Sequence, residues 1–192
     1  MIKRSVGFNA PSHVKLTLFN SLCRSHLEYS SQVWSPFNKN KILLLESVQR
    51  SMTRFILNND LSYPERCAIL NILPLSFRRE ICDLVFLFKY FKGFINVDFN
   101  SFIEVSSTNV RQHSGPTVRC PSRARTETFI NSYFHRVSRL WNILPNHIRS
   151  STSVAVFRNN LLLHYQTKMI SYSVQNTCTL TSTCRCTGFY HF

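Results

Sequence analysis

The sequence predicts an all-α fold, in which a helical bundle is followed by a basic irregular linker and a smaller helical C-terminal region. Apolar residues recur at intervals of three and four over long stretches, and this spacing places them on one face of an α-helix. The chain has 192 residues, of which 44% are hydrophobic and 13% aromatic. That apolar content is enough for the core of one moderate domain or two small ones.

Two helices are predicted in the first part of the chain. The first begins near Ser12 and reaches about Tyr29, because its apolar residues fall on adjacent helical stripes. A polar turn at residues 35–38 separates it from a longer helix, whose apolar stripe runs from Ile42 to Ile56. Most basic residues of the longer helix lie off that stripe.

A short helix and a third long one complete the predicted bundle. Pro64 and Glu65 are residue types that favour the N-terminus of a helix, so a short helix is expected there. From Ser76 an amphipathic pattern continues until Gly93, a residue type that commonly ends helices. Three long helices within about one hundred residues predict a compact bundle.

The helical periodicity fades after the bundle. Residues 101–125 are rich in Ser, Thr, Asn, Gly and Pro, with several arginines and a single acid, which predicts a basic irregular linker. A further helix is expected from Thr126 or Thr128, and a last one from about Thr152 to Thr167. The predicted order is N-terminal extension, bundle, linker, C-terminal helical region and poorly ordered Cys-containing tail, at residues 1–11, 12–100, 101–125, 126–168 and 169–192.

The chain is strongly basic. Its 23 Lys and Arg against 9 Asp and Glu give a formal net charge of +14, which favours nucleic acid over a membrane as partner. The longest apolar runs fall far short of the roughly 20 residues that a bilayer span needs. The basic start of the chain is not followed by the apolar core of a signal peptide. We therefore expect an intracellular protein, nuclear or cytoplasmic, that is neither secreted nor bound to a membrane.

The C-terminal tail contains one candidate metal constellation. Its spacing, C-x5-C-x-C-x4-H, departs from the usual C-x2-C pairs, and C-x-C is awkward for closing a tetrahedral site. The alternative is a degenerate tail that holds no metal. We expect no cofactor, with zinc as the alternative at Cys178, Cys184, Cys186 and His191.

Two stretches of the sequence stand out, of which the longer reads LCRSHLEYSSQVWSP and the later one contains LWNILP. Together with several shorter blocks in the same order, they resemble the region after the polymerase palm in non-LTR (LINE-type, jockey-like) retrotransposon reverse transcriptases. The resemblance covers roughly residues 12–165. The matching blocks lie at residues 22–36, 45–50, 63–66, 70–75, 78–83, 134–145 and 153–157.

The resemblance implies a thumb-like bundle that grips a primer/template duplex, of RNA or DNA, without sequence preference. In that family the catalytic metal ions are held by a Tyr-x-Asp-Asp turn and a further aspartate, because both reacting oxygens need Lewis-acid stabilisation. This sequence has no such motif, and no two acidic residues in it are adjacent. We therefore expect a non-catalytic fragment that begins downstream of the catalytic aspartates.

Such a module needs one helical face buried and another carrying cations towards phosphates. Arg50 and Arg54 are four residues apart and so are neighbours on one helical surface. For each basic residue the alternative is an ordinary solvated side chain. The candidate nucleic-acid-binding residues are Lys39, Lys41, Arg50, Arg54, Arg78, Arg79, Arg119, Arg123 and Arg125.

Two other hypotheses remain open. In the first, the chain is a helical protein-interaction module whose basic surface meets an acidic partner. In the second, it is a truncated remnant of a mobile element without a selected function. The tryptophans bear on the nucleic-acid-binding hypothesis, because exposed tryptophans stack on bases. Trp34 and Trp141 both stand in hydrophobic contexts, so we expect them to be buried.

Overall fold

The structure, a computed structural model, describes residues 2–7, 9–106 and 117–177. These residues are mostly helical, which confirms the predicted helical class, but they also include two short strands, so the fold is not strictly all-α. The strands are β1 (Glu104–Ser106) and β2 (Thr117–Arg119). The helices are α1 (Ile2–Val6), α2 (Ser12–Leu18), α3 (Ser25–Glu28), α4 (Ser31–Trp34), α5 (Lys39–Leu57), α6 (Tyr63–Ile69), α7 (Leu75–Phe91), α8 (Glu127–Ile130), α9 (Tyr133–Ile143), α10 (Asn146–Arg149) and α11 (Val154–Thr177).

The first predicted helix is present, but its middle is a π-helix at Phe19–Arg24 between α2 and α3. Three hydroxyl groups bond back to the carbonyl four residues earlier, among them Ser21 to Thr17 at 2.9 Å and Ser25 to Ser21 at 2.6 Å. Such bonds compete for backbone carbonyls and commonly accompany bends or widened turns in a helix. Phe19, at the start of the wide segment, is fully buried.

Local capping marks both ends of α5 and the start of α6. The Asn38 side chain accepts a hydrogen bond from the backbone amide of Asn40 at 2.9 Å and so caps α5. Before α6, the Glu65 carboxylate accepts from the Ser62 amide at 2.8 Å, which completes a capping box. Asn58 ends α5 in the left-handed conformation with φ of 49°, a role that asparagine tolerates better than most residues.

The chain divides into two compact units. Among the described residues, the first contains residues 2–7, 9–29, 36–78 and 164–177, and the second contains residues 30–35, 79–106 and 117–163. Both α7 and α11 therefore contribute residues to each unit. Each unit is assembled from segments that are far apart in the sequence.

The first unit is built around α5. Phe19, Met52, Phe55 and Ile56 form a buried cluster, against which residues of α1, α2 and the turn after α6 pack. The Lys15 ammonium lies 4.8 Å from the ring centre of Phe55, and Lys15 is itself only 3% exposed. A lysine that covers an apolar core in this way combines burial of its methylene stem with a cation–π contact.

Glu46 links α5 to the start of α7 within the first unit. Its carboxylate accepts hydrogen bonds from the backbone amides of Leu75 at 3.0 Å and Ser76 at 3.3 Å, and from the Tyr63 hydroxyl. The first amides of a helix have no partner within the helix, so a carboxylate from a neighbouring helix can cap them. Glu46 is 2% exposed, and the bonds compensate the burial of its polar group.

Aromatic rings fill the second unit. Phe157 of α11 stacks on Phe88 of α7 with ring centres 4.1 Å apart and an interplanar angle of 7°. Trp141 of α9 is buried, as predicted, and meets Phe91 edge-on at 5.2 Å. A separate contact pairs Phe102 with Phe134, stacked at 4.6 Å. These contacts tie three helices and the segment after α7 into one core.

A second anchor of this unit is the ion pair between Asp83 and Arg136. The Arg136 Nε lies 2.7 Å from an Asp83 carboxylate oxygen, while its other nitrogens donate to the backbone carbonyls of Asn131 at 2.9 Å and Gln32 at 3.3 Å. The Gln32 side chain in turn donates to the Cys82 carbonyl at 3.4 Å. One guanidinium therefore joins α7, α9 and the short helix α4.

The strands form a small antiparallel hairpin inside the predicted irregular linker. Glu104 pairs with Arg119, Val105 with Val118 and Ser106 with Thr117. The helix predicted from Thr126 is interrupted at Asn131 and Ser132, which gives α8 and α9 instead of one helix. The short helix α10 was not predicted.

The last helix is longer than expected, because α11 continues to Thr177 instead of ending near Thr167. Within the described part of the chain, no helix combines the length and the apolar character that would let it cross a bilayer.

Candidate nucleic-acid interface

The start of α5 concentrates positive charge. Lys39 and Lys41 are both exposed, and the first turn of the helix contains no acidic residue. Helix N-termini already carry a partial positive charge from their unpaired amides, so lysines there are unfavourable for the isolated helix. The two ammonium groups therefore add to a local positive potential instead of neutralising it.

Further along α5, Arg50 and Arg54 have different surroundings. The Arg50 guanidinium lies 5.1 Å from the ring centre of Tyr63, and its Nε is buried without an acceptor among the described atoms. Arg54 is exposed and pairs with the exposed Asp60 at 2.5 Å. Because a solvent-exposed pair contributes little stability, Arg54 can exchange its carboxylate for a phosphate at small cost.

The structure does not place Arg78 and Arg79 on an accessible cationic surface. Arg78 holds Glu28 in a two-pronged ion pair, with its Nη2 2.8 Å from a carboxylate oxygen, and Arg24 reaches the same carboxylate at 3.4 Å. Arg79 is only 3% exposed. The pattern of two adjacent arginines suggested phosphate binding, but their positions indicate structural roles within the two units.

Arg119, Arg123 and Arg125 are exposed and lie in the second unit. None of their guanidinium groups forms an ion pair with a carboxylate among the described residues. Arg119 is the cross-strand neighbour of Glu104, yet their side chains form no ion pair. These arginines therefore remain available to an external anion.

The segment that carries these arginines is held at both ends by His135 of α9. The Cys120 sulfur, next to Arg119, lies 3.5 Å from the His135 Nε2. At the other end, the Phe129 ring meets the His135 ring edge-on, with ring centres 4.9 Å apart and an interplanar angle of 76°. Residues 120–129 therefore form a loop that starts and ends at the same imidazole, with Arg123 and Arg125 inside it.

Three residues of this surface, Arg139, Phe129 and His135, were missed by the sequence analysis. Arg139 is exposed and lies four residues after His135, which places both on one side of α9. Phe129 is 41% exposed and follows Arg123 and Arg125 in the sequence. The four-residue spacing could have revealed Arg139, whereas nothing in the local pattern distinguishes Phe129 from a core residue. We call Arg119, Arg123, Arg125, Arg139, Phe129 and His135 the arm patch.

Metal binding finds no support in the part of the chain that the structure describes. No group of three or more His, Cys, Asp or Glu side chains there is arranged to hold an ion. The zinc candidates Cys178, Cys184, Cys186 and His191 lie outside the described residues.

Comparison with known protein families, with curated proteins and with solved structures gives no match to this chain.

Proposed function

We propose that this chain is a non-catalytic nucleic-acid-binding module related to the C-terminal, thumb-containing region of LINE-type reverse transcriptases. The observation that carries the proposal is the arm patch, in which exposed arginines without described carboxylate partners stand on an ordered scaffold. The order of sequence blocks that resemble the post-palm region supports the choice of family.

The chemistry of the arm patch fits a sugar-phosphate backbone. A guanidinium group presents several N–H donors in a rigid fork, which matches two phosphate oxygens better than a lysine ammonium does. Phosphate contacts supply most of the sequence-independent affinity of proteins for nucleic acids. The exposed cations of α5, Lys39, Lys41 and Arg54, form a second group in the other unit and support the same function.

Polymerase chemistry is not part of the proposal. The resemblance assigns the catalytic aspartates to a region that precedes the matched blocks, and the acidic residues of this chain do not form the paired motif. Incubation of the purified chain with primed template, deoxynucleotides and Mg²⁺ should give no primer extension. Extension above that of a mock purification would contradict the non-catalytic assignment.

Salt dependence tests the binding proposal most directly. For an RNA–DNA hybrid, the logarithm of the binding constant should fall linearly with the logarithm of the salt concentration, since each neutralised phosphate releases counterions. A triple variant, Arg119→Gln with Arg123→Gln and Arg125→Gln, should reduce the magnitude of that slope by about 3, or about 1 for each lost contact. Fluorescence anisotropy at several salt concentrations measures both quantities.

A charge-matched control separates a defined site from general attraction. Lys89, Lys92 and Arg158 are exposed residues of the same unit, and their combined change to glutamine removes the same charge. This control should change the slope much less than the arm-patch triple variant. Equal losses would indicate a diffuse basic surface, and binding that is indifferent to salt would remove the basis of the proposal.

A protein-interaction role is the second candidate, because one observation favours it. Leu44 is 71% exposed and Val48 is 38% exposed, and they lie one turn apart on α5 close to Lys41. Such an apolar strip beside cations suits an acidic amphipathic partner. Nuclease treatment of a pull-down distinguishes the two roles, because complexes bridged by nucleic acid disappear while direct protein contacts remain.

A further inference from the structure

The arm patch combines cations with an exposed aromatic ring, and this combination bears on which form of nucleic acid it binds. A single exposed apolar residue is ordinary on a protein surface. Phe129, however, lies at the end of the loop that carries Arg123 and Arg125, and its ring contacts the same imidazole as the other end of that loop. The ring is therefore held against His135 at the end of a loop that carries two exposed arginines.

The position of Phe129 is also fixed through its backbone. Thr126, which directly follows Arg125, accepts a hydrogen bond from the Phe129 amide at 3.2 Å and caps α8. The first turn of α8 thus determines where the ring projects relative to Arg125. An aromatic ring that is held in place loses little conformational freedom when it binds a planar ligand.

Nucleic-acid bases are planar ligands that accompany phosphates. Aromatic side chains stack on them with little regard to sequence, because every base has a π-face. In a duplex the faces of the bases are already stacked on their neighbours, whereas a single strand can present them at small cost. An aromatic ring among arginines therefore distinguishes single strands from duplexes, which the arginines alone do not.

We infer that the arm patch is a binding site for single-stranded nucleic acid, in which Phe129 stacks on a base while Arg123, Arg125 and Arg139 contact neighbouring phosphates. This inference rests on the proposed nucleic-acid-binding function and specifies its ligand. It differs from a duplex grip, because a duplex satisfies the arginines but leaves Phe129 without a partner.

The test compares two phenylalanines of the same unit in the full chain. Phe129→Ala removes the proposed stacking ring, and Phe94→Ala removes a ring that is 73% exposed elsewhere in that unit. Affinities are measured by anisotropy with a labelled single-stranded RNA, a single-stranded DNA of the same sequence and a blunt duplex of the same length. Phe129→Ala should weaken single-strand binding about 5- to 150-fold and leave duplex binding within about twofold. Phe94→Ala should change neither.

A gain-of-signal variant keeps the test independent of any folding defect. Phe129→Trp should restore single-strand affinity, and its added fluorescence should be quenched by single strands but not by duplex, relative to the parent chain. The RNA and DNA arms show which sugar the site prefers. Quenching by both single strands would indicate that the site contacts only the base and the phosphates. Quenching by only one of them would indicate an additional contact to the sugar.

The outcomes separate this inference from the broader proposal. Salt-dependent binding that is equal for single strand and duplex, and that is insensitive to Phe129→Ala, would overturn the single-strand site while leaving nucleic-acid binding intact. Absence of binding to all three nucleic acids at low salt would overturn both. Equal losses from Phe94→Ala and Phe129→Ala would also reject a specific stacking role for Phe129.

Discussion

The side-chain amide of Asn142 pairs with both backbone polar groups of Val118. Its Oδ1 accepts from the Val118 amide at 3.0 Å, and its Nδ2 donates to the Val118 carbonyl at 2.8 Å. Asn142 thus takes the place of a neighbouring strand along the edge of β2. Since Val118 is only 1% exposed, the pairing satisfies two buried groups and attaches the hairpin to α9.

Replacement of Asn142 by alanine should destabilise the second unit. Each buried backbone group left without a partner costs about 1–3 kcal/mol, so the free energy of unfolding should fall by roughly 2 kcal/mol or more. Asn142→Asp should be at least as harmful, because a carboxylate cannot donate to the Val118 carbonyl. Urea unfolding measures the loss, and hydrogen exchange of the Val118 amide should accelerate. The exposed Asn159 of α11, changed to alanine, is the control and should have little effect.

The sequence predicted the long helices but not the hairpin, for a physical reason. Amphipathic periodicity is repeated over many residues in α5 and α7, so the helical pattern is clear before any packing is known. Each strand has three residues, too few for an alternating pattern, and β2 depends on Asn142 more than twenty residues away. In the sequence, Asn142 appears only as one residue of the block LWNILP, and its contact with the strand is not visible there.

The exposure of the candidate binding residues could be predicted only where it followed from local polarity. Arg119, Arg123 and Arg125 lie in a polar stretch and are exposed, whereas Arg79 is buried by partners that no local pattern reveals. The tryptophans show the same limit, since Trp141 is buried as expected while Trp34 is 38% exposed. Burial depends on long-range packing, and a short hydrophobic context does not determine it.

The Glu46 carboxylate should be essential for joining α5 to α7. Glu46→Ala leaves the amides of Leu75 and Ser76 and the Tyr63 hydroxyl without their acceptor, and the free energy of unfolding should fall by on the order of 3 kcal/mol. Glu46→Gln keeps one oxygen acceptor and should lose less. The exposed Glu127 changed to glutamine serves as control. Equal stability of Glu46→Ala and the parent chain in urea unfolding would show that water replaces the carboxylate without cost.

The ring stack between Phe88 and Phe157 should be a major source of stability in the second unit. Phe157 is fully buried, so Phe157→Ala removes both the stacking contact and a large apolar volume. A loss of about 3–5 kcal/mol is expected. Val156→Ala, at a 44% exposed neighbouring position, should cost far less. A small loss for Phe157→Ala in thermal or urea unfolding would mean that the core collapses around the vacated space.

Asp83 should make stability depend on pH in an unusual direction. Burial raises the pKa of Asp83 above its ordinary value, and the hydrogen bond and charge of Arg136, with the charge of Arg79, offset part of the rise. A carboxyl with a raised pKa in the folded state contributes stability below its unfolded pKa, and loses that contribution as the pH rises through the folded pKa. Relative to Asp83→Asn, the parent chain should therefore lose stability as the pH rises from about 4.

The free energy of unfolding of the parent chain and of Asp83→Asn, measured across that pH range, tests this direction. Taking the difference cancels the groups that titrate in both proteins. Asp98→Asn, at an exposed position, should reproduce the pH profile of the parent chain. A relative gain in stability with rising pH would mean that the ion pair with Arg136 outweighs burial and lowers the pKa.

Cys67 should be the least reactive of the cysteines that the structure describes. Burial raises the pKa of its thiol to about 12, with the Glu46 charge adding to the rise, whereas Cys23, Cys82 and Cys120 are only half-buried. Because the thiolate is the nucleophile, iodoacetamide at pH 8 should label Cys67 more than about a hundredfold more slowly than Cys120. Peptide mapping after timed labelling measures the two rates, and labelling in urea should make them similar.

Since the pKa of the Cys67 thiol in the folded chain exceeds the unfolded value of about 8.5, the contribution of Cys67 to stability should be present below pH 8.5 and be lost as the pH rises towards 12. Rapid native labelling of Cys67 would show that the α5–α6 core opens far more often than its burial suggests.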